Sequence, residues 1–239
     1  MDVWPGGSFA ACQCAGTGDG GLGHNRPMPD FGNARHLPAH EYTRERWHNG
    51  AGWTRRILRL PGEPWPLGLS VAEIDEPAPY SLLPGVEREQ VLLSGDGLRL
   101  EFADGEVAGL LPPHQRIRFD GGREVRGIPL DGPPVRAFNV MWRPSALEVT
   151  VLHRPLVGGM FCFCDADTAW AMYLLGGTAR VASDGTDFQL DGGDSAWLAS
   201  AARQRFVVDG AGEALMIRVR RAAGAEGKGL DASGLATAP

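Results

Sequence analysis

The 239-residue sequence predicts an all-β protein. Three observations carry that reading. Apolar residues alternate with polar ones at period two in almost every apolar segment, the pattern of strands with one buried face. Thirty-four glycines and 18 prolines favour frequent turns over long helices. No long stretch shows the 3.6-residue periodicity that would compete.

Each element follows in chain order. Residues 1–33 are rich in Gly, with Pro and small polar residues and no periodicity, and read as a disordered extension. Alternation begins with Arg55–Leu60 and continues through Gly97–Phe102, Glu148–Leu152, Ala179–Val181 and Leu215–Val219. Asp104-Gly105, Asp120-Gly121 and Asp184-Gly185 mark tight turns between them. The order strand, glycine turn, strand, Asp-Gly turn occurs twice, over Leu92–Gly105 and again over Leu174–Gly185. Gly192-Gly193-Asp194 and Ala196-Trp197-Leu198 continue the second copy. Such duplication predicts two β-barrels or jelly rolls, over residues 34–145 and 146–221, followed by a flexible Ala/Gly-rich tail over 222–239. Convergent hairpin chemistry is the alternative source of the likeness.

Composition narrows the function. A hydrophobic content of 43% supplies a core, and the net charge of -6 argues against a nucleic-acid partner. No apolar run approaches the roughly 20 residues of a membrane span. No basic region followed by an apolar core opens the chain, so a cytoplasmic protein is expected. The four cysteines form two Cys-x-Cys pairs, Cys12/Cys14 and Cys162/Cys164, a weak pattern for zinc. In Phe161-Cys162-Phe163-Cys164 a strand would turn both sulfurs to one face, which favours core packing.

The densest motif is Trp47-His48-Asn49-Gly50-Ala51-Gly52-Trp53-Thr54. Its simple reading is a tight turn into a strand. Downstream stand Leu69-Ser70-Val71-Ala72, Tyr80-Ser81, Pro84-Gly85-Val86-Glu87-Arg88, Asp131-Gly132-Pro133 and Asn139-Val140-Met141. In this order and spacing the set resembles the HutD/Ves family. The resemblance spans roughly residues 36–220, and the family-like sequence begins soon after Met28, a candidate for the true start. It implies a duplicated cupin (bicupin) fold with a pocket for a small carboxylate. It also implies a ligand-sensing or regulatory role in bacterial histidine utilisation, with formylated glutamate as a ligand. Three positions depart from the family pattern: Gly68 replaces an Arg, Arg56 an acidic residue and Ala137 an Asp.

Metal-binding cupins carry two His and a Glu before a glycine turn and a third His on a later strand. The matching segment here, Pro84–Gln90, contains no histidine. His114 is isolated in sequence, and His36, His40, His48 and His153 are scattered, so no metal and no cofactor is expected; the alternative is a site assembled from distant segments. Arg88 stands in the ligand position instead. Its planar fork suits a carboxylate, and its structural alternative is a pair with Glu87, Glu89 or Asp131. Asn49 and Asn139 can orient an amide or formyl group, or serve turns. Trp47 and Trp53 can wall a pocket or fill a core, while Thr54 and Ser70 can add hydroxyls or face neighbouring strands. The expected ligand-binding set is therefore Arg88, Asn49, Trp47, Thr54, Ser70 and Asn139, acting on a small anionic metabolite. The competing readings are a metal-independent isomerase or hydrolase using Glu87, Glu89 or His48, and an interaction module acting through a barrel surface. Oligomeric state is open.

Overall fold

A computed structural model describes residues 29–130 and 134–223. The Cys12/Cys14 pair, the Asp131-Gly132-Pro133 element and most of both terminal segments lie outside the described residues. Apart from one short 3-10 turn at Ala39–Glu41, every regular element is a strand. No helix among the described residues is long and apolar enough to cross a membrane.

The middle layer is a six-stranded sheet. It contains β2 (Thr43–Arg46), β3 (Gly52–Arg59), β4 (Leu67–Ile74), β6 (Glu87–Ser94), β9 (Arg116–Asp120) and β11 (Val135–Trp142), in the order β2-β3-β4-β11-β6-β9. One face packs on a four-stranded sheet of β5 (Ala78–Pro79), β10 (Val125–Pro129), β7 (Leu98–Phe102) and β8 (Val107–Leu110). Leu92, Leu98, Leu100, Leu110 and Phe119 fill the space between them. These two sheets form the first β unit.

The other face meets a third sheet, which forms the second unit. Its members are β1 (Arg35–Leu37), β15 (Ser195–Leu198), β13 (Thr168–Ser183), β16 (Gln204–Arg221) and β12 (Leu147–Cys164), with β14 (Thr186–Asp191) hydrogen-bonded to β13. The three longest strands serve two cores. Their Leu147, Val149, Tyr173, Leu215 and Ile217 pack on the middle sheet, while Leu156, Cys162, Val181, Phe206 and Val208 enclose a core within the second unit. β12 carries Pro155 without penalty because it is an edge strand, paired only with β16.

Local sequence accounts for the turns. Asp184-Gly185 closes a two-residue hairpin between Ser183 and Thr186, with Gly185 at φ 74°. The glycines of the second repeat behave differently from those of the first. Gly176 and Gly177 do not separate two strands; they bend one continuous strand, β13, where its register against β16 shifts. A Cβ on Gly177 would lie 1.9 Å from the Ala211 carbonyl oxygen, so this bend requires glycine.

The N-terminal boundary also differs from the composition-based division. Phe31, within the segment read as an extension, is 5% exposed and meets the Trp197 ring edge-on at 6.0 Å. Trp197 Nε1 donates to the Phe31 carbonyl at 2.7 Å. β1 pairs with β15, so residues 35–37 of the sequence-defined first barrel belong to the sheet of the second. A three-residue strand has no alternation to reveal its partner.

Cys162 and Cys164 are free, buried thiols, and burial pushes each thiol up to about 12. They are packing residues, as the alternation implied.

Phe138 projects from β11 into the joint core and packs on Tyr173 with ring centroids 5.0 Å apart. Phe138→Ala is expected to lower the unfolding free energy by about 3–5 kcal/mol, read by urea denaturation; a loss below about 1 kcal/mol would show that the two units do not depend on this contact. Near the end of the same face, Glu73 is held between Arg44 (2.7 Å) and Arg55 (2.6 Å). Burial alone would raise its pKa, but the hydrogen bonds and charges of the two arginines outweigh it and hold the carboxyl below its ordinary value. A depressed folded pKa means stability that is present above the unfolded carboxylate range and lost as pH falls through the folded value. Glu73→Gln should therefore flatten the acid limb of a stability–pH curve.

Candidate binding site in the first barrel

Directly opposed residues on neighbouring strands share a face. On the barrel side of the middle sheet this aligns Arg56, Ser70, Asn139 and Gln90 in one row across β3, β4, β11 and β6. Met141, Arg88 and Phe119 form the next row. The opposite faces of these strands carry Leu69, Val71, Val91, Phe138 and Val140 into the joint core. A polar row thus lies inside a barrel whose sheet is apolar behind it.

Arg88 is the centre of this row. It is 9% exposed, and Asn139 Oδ1 accepts from its Nε at 3.0 Å and its Nη2 at 2.9 Å. Gln90 Nε2 donates to the same oxygen at 3.2 Å and contacts the Tyr80 hydroxyl at 3.2 Å. The guanidinium stacks 4.3 Å from the Tyr80 ring centroid and 5.7 Å from that of Phe119. Among the described residues it has no carboxylate partner. Glu87 pairs with Arg118 and Glu89 with Arg116, both on the other side of the strand. Burial lowers the Arg88 pKa and raises that of the Tyr80 phenol.

The other sequence-derived candidates divide into two groups. Trp47 reaches the barrel: its Nε1 donates to Thr54 Oγ1 at 2.9 Å, and its ring meets Tyr80 edge-on at 6.3 Å. Ser70 is 4% exposed and stands opposite Asn139. Asn49 is exposed in the β2–β3 turn, where its Oδ1 accepts from the Ala51 amide at 3.1 Å. Trp53 points to the opposite side and is stacked by Arg44 and Arg46, at 4.0 and 4.8 Å. Glycine is required in this turn, because a Cβ on Gly52 would lie 2.4 Å from the Glu73 carbonyl oxygen.

The three departures have visible settings. Arg56 pairs with Glu45 at 2.8 Å beside the polar row. Ala137 is buried between Ala72 and Leu92 in the adjoining apolar row. The position of a Gly68 Cβ lies 3.6 Å from the Trp65 ring, which covers that site. Sequence reasoning passed over Gln90 and Tyr80 as polar partners. Gln90 lies two residues after Arg88, and on a strand that spacing already places it on the same face.

The donor set suits an anion. A guanidinium, two amides and a phenol offer hydrogen bonds and positive charge. They do not suit the metal of a metal-binding cupin, since no imidazole among the described residues faces this row and Arg88 would repel a cation.

Histidines do converge elsewhere. His114, isolated in sequence, lies against His153 with ring centroids 5.1 Å apart, at the junction of the two units. His114 and Arg136 also line a cleft of about 360 Å³ there. That cleft is separate from the Arg88 row, which lies on the opposite face of the middle sheet.

The HutD family profile matches residues 39–216. An uncharacterized 21.2 kDa protein in the hutC 3' region of Pseudomonas putida is 36% identical over 114 residues, which cover 46% of this chain and 58% of that protein. Protein Ves of Citrobacter koseri is 34% identical over 107 residues, covering 44% and 56%. The chain therefore spans a little over half the length of these curated relatives. The structure of HutD from Pseudomonas fluorescens SBW25, in a formate condition, matches with a TM-score of 0.68 at 26% identity, over 79% of this chain and 98% of that one.

A buried guanidinium without a carboxylate costs stability, so Arg88→Met is expected to leave the unfolding free energy unchanged or raise it by about 1–4 kcal/mol. Asn139→Ala strips the guanidinium of its acceptor and should lower it by about 1–3 kcal/mol. Urea denaturation of both variants checks the contrast. Equal destabilisation by the two would show that Arg88 is a structural element of the barrel.

Proposed function

Because the chain belongs to the HutD family, with a cupin-type all-β fold, we propose that it binds a small carboxylate inside the first barrel and acts as a ligand-responsive regulator in histidine breakdown. The carrying observation is the buried Arg88, fixed by Asn139 and Tyr80 and lacking a carboxylate among the described residues. A guanidinium binds a carboxylate through two parallel hydrogen bonds, and low dielectric strengthens them. Asn139 takes Nε and Nη2, which leaves other guanidinium N–H groups for the ligand. Gln90, Ser70, Thr54 and Trp47 supply further hydrogen-bonding groups and an aromatic wall on the same side.

Family membership and the hutC-region relative support the histidine pathway. Formylated glutamate fits by chemistry, because it joins carboxylates to an amide-like formyl group that Asn and Gln side chains can orient. The expected setting is the cytoplasm, with a small anionic metabolite as partner and no nucleic acid. The binding reading is favoured over the enzymatic one because the candidate acid–base groups do not face Arg88. Glu87 and Glu89 lie on the other side of β6, and His48 is exposed in its turn.

A thermal-shift screen over histidine-pathway intermediates tests this. At 100 times the dissociation constant, the ligand should stabilise the protein by about 2.7 kcal/mol. Arg88→Met, expected to fold, should abolish the shift. A shift that survives this substitution would remove Arg88 from the site, and product formation without a stable complex would favour the enzyme.

A further inference from the structure

Two imidazoles and a carboxylate meet outside the barrels. His114 lies between β8 and β9, His153 on β12 and Glu213 on β16. One ligand atom from each lies within 4.8 Å of the other two. His153 Nε2 is 3.0 Å from Glu213 Oε2, and His114 Nε2 is 3.8 Å from the same oxygen. Metal–ligand distances near 2.0–2.1 Å give a tetrahedral edge of about 3.4 Å, which these two distances bracket.

The strands build two of the three ligands into one face. His153 stands opposite Leu215 and Pro155 opposite Glu213, so His153 and Glu213 are diagonal neighbours on the same side of the β12–β16 pair. The third ligand is held by other means. His114 has φ 51°, the single positive φ outside glycine among the described residues. Left-handed backbone is uncommon outside glycine, and histidine is among the residues that tolerate it best.

The contacts fix which ring nitrogen faces the cluster. His114 Nδ1 lies 3.0 Å from the Leu92 carbonyl oxygen. A carbonyl only accepts, so Nδ1 carries a proton, and the lone pair that this imidazole can offer a metal is at Nε2. That lone pair and the Glu213 carboxylate face each other at 3.8 Å. A cation between them, a proton or a metal ion, satisfies both. A backbone carbonyl on the far nitrogen is also the arrangement that orients metal-ligating imidazoles.

The surroundings point to a partner for the cation. His114 and Glu213 line the junction cleft of about 360 Å³ together with Arg136 and Tyr173. Arg136 lines the cleft beside Tyr173, and its Nε is buried without a hydrogen-bond partner among the described residues. We infer that His114, His153 and Glu213 form a site for a divalent transition-metal ion of the zinc class, with open coordination positions beside a cleft in which Arg136 receives a small anion. Imidazole and carboxylate ligands suit this class of ion, and three protein ligands leave room for an exogenous one. The site is independent of Arg88 and stands whether or not the barrel takes a carboxylate.

The test uses the full chain with Zn2+ and Co2+ as probes. Titration calorimetry should show a single Zn2+ site per chain, and Co2+ should give the visible absorption of a low-coordinate nitrogen–oxygen site. His114→Asn keeps a residue that tolerates positive φ; it, His153→Ala and Glu213→Gln should each weaken Zn2+ binding by at least about tenfold. His40→Ala, at an exposed histidine away from the cluster, should leave binding unchanged. Nitrogen-15 NMR should place the metal on Nε2 of His114 and His153, a readout that does not depend on how the variants fold. Absence of Zn2+ binding to the parent chain would overturn the inference, as would equal binding by the three cluster variants or metal shifts confined to His40 and His48.

Discussion

Burial of the middle sheet on both faces is the constraint that organises this molecule. β4 shows it most clearly, because all eight of its residues from Leu67 to Ile74 are buried. Leu67, Leu69 and Val71 pack toward the second unit, while Ala72 and Ile74 pack into the first barrel. A sheet covered on one side only would present Phe138, Val140 and Trp142 to water. Covering them requires the long strands of the second unit, which explains why β12, β13 and β16 extend past their own core to lie on β11 and β4. The units are thus bound through a shared apolar layer, and neither buries its exposed side without the other.

That constraint sets the cost of polar groups in the barrel. With both faces dry, water cannot hydrate Arg88 freely, and the chain must meet the guanidinium with its own acceptors. It uses one amide oxygen, from Asn139, and two ring faces, from Tyr80 and Phe119. A carboxylate from β4 or β11 would be the more stabilising neighbour, but it would neutralise the group and close it to any other anion. The acidic residues of β6 instead point to the far side, where Arg116 and Arg118 pair with them. Alternation along β6 separates the charges: Arg88 faces into the barrel, and the paired carboxylates Glu87 and Glu89 lie on the other side of the sheet. Under the proposed carboxylate-binding role, such a division sacrifices stability for recognition.

Much of the fold was legible because it depends on period two. The alternating segments became strands, and the three Asp-Gly pairs became turns. Cys162 and Cys164 landed on one buried face. Arg88 and Asn139 stood out only through the family motif, since neither residue type in a strand announces burial. Other features were not legible for physical reasons. β1 is too short to alternate, so its pairing with β15 is a tertiary fact. Gly176-Gly177 has the composition of a turn, yet the same freedom of φ serves a bend within one strand. His114 and His153 are 39 positions apart, and Glu213 is 60 beyond His153. Spacing rules for metal ligands operate within one element or turn, and three separate segments converge without leaving such a trace.

The barrel row and the junction cleft stand on opposite faces of the same two strands. On β11, Asn139 faces the barrel, while Arg136 faces the other way and lines the cleft. On β6, Arg88 and Gln90 face the barrel, and Leu93 lines the cleft. The Leu92 carbonyl, on the same strand as Arg88, is the atom that orients His114. Any displacement of β6 that accompanies filling of the barrel must therefore move the group that fixes the imidazole. A close-packed layer transmits such a displacement as a discrete repacking, because it has little free volume in which to absorb it. The geometry provides a physical connection of one strand's width between two places suited to anions. Its energetic size depends on how far β6 moves relative to β12 and β16, which carry His153 and Glu213.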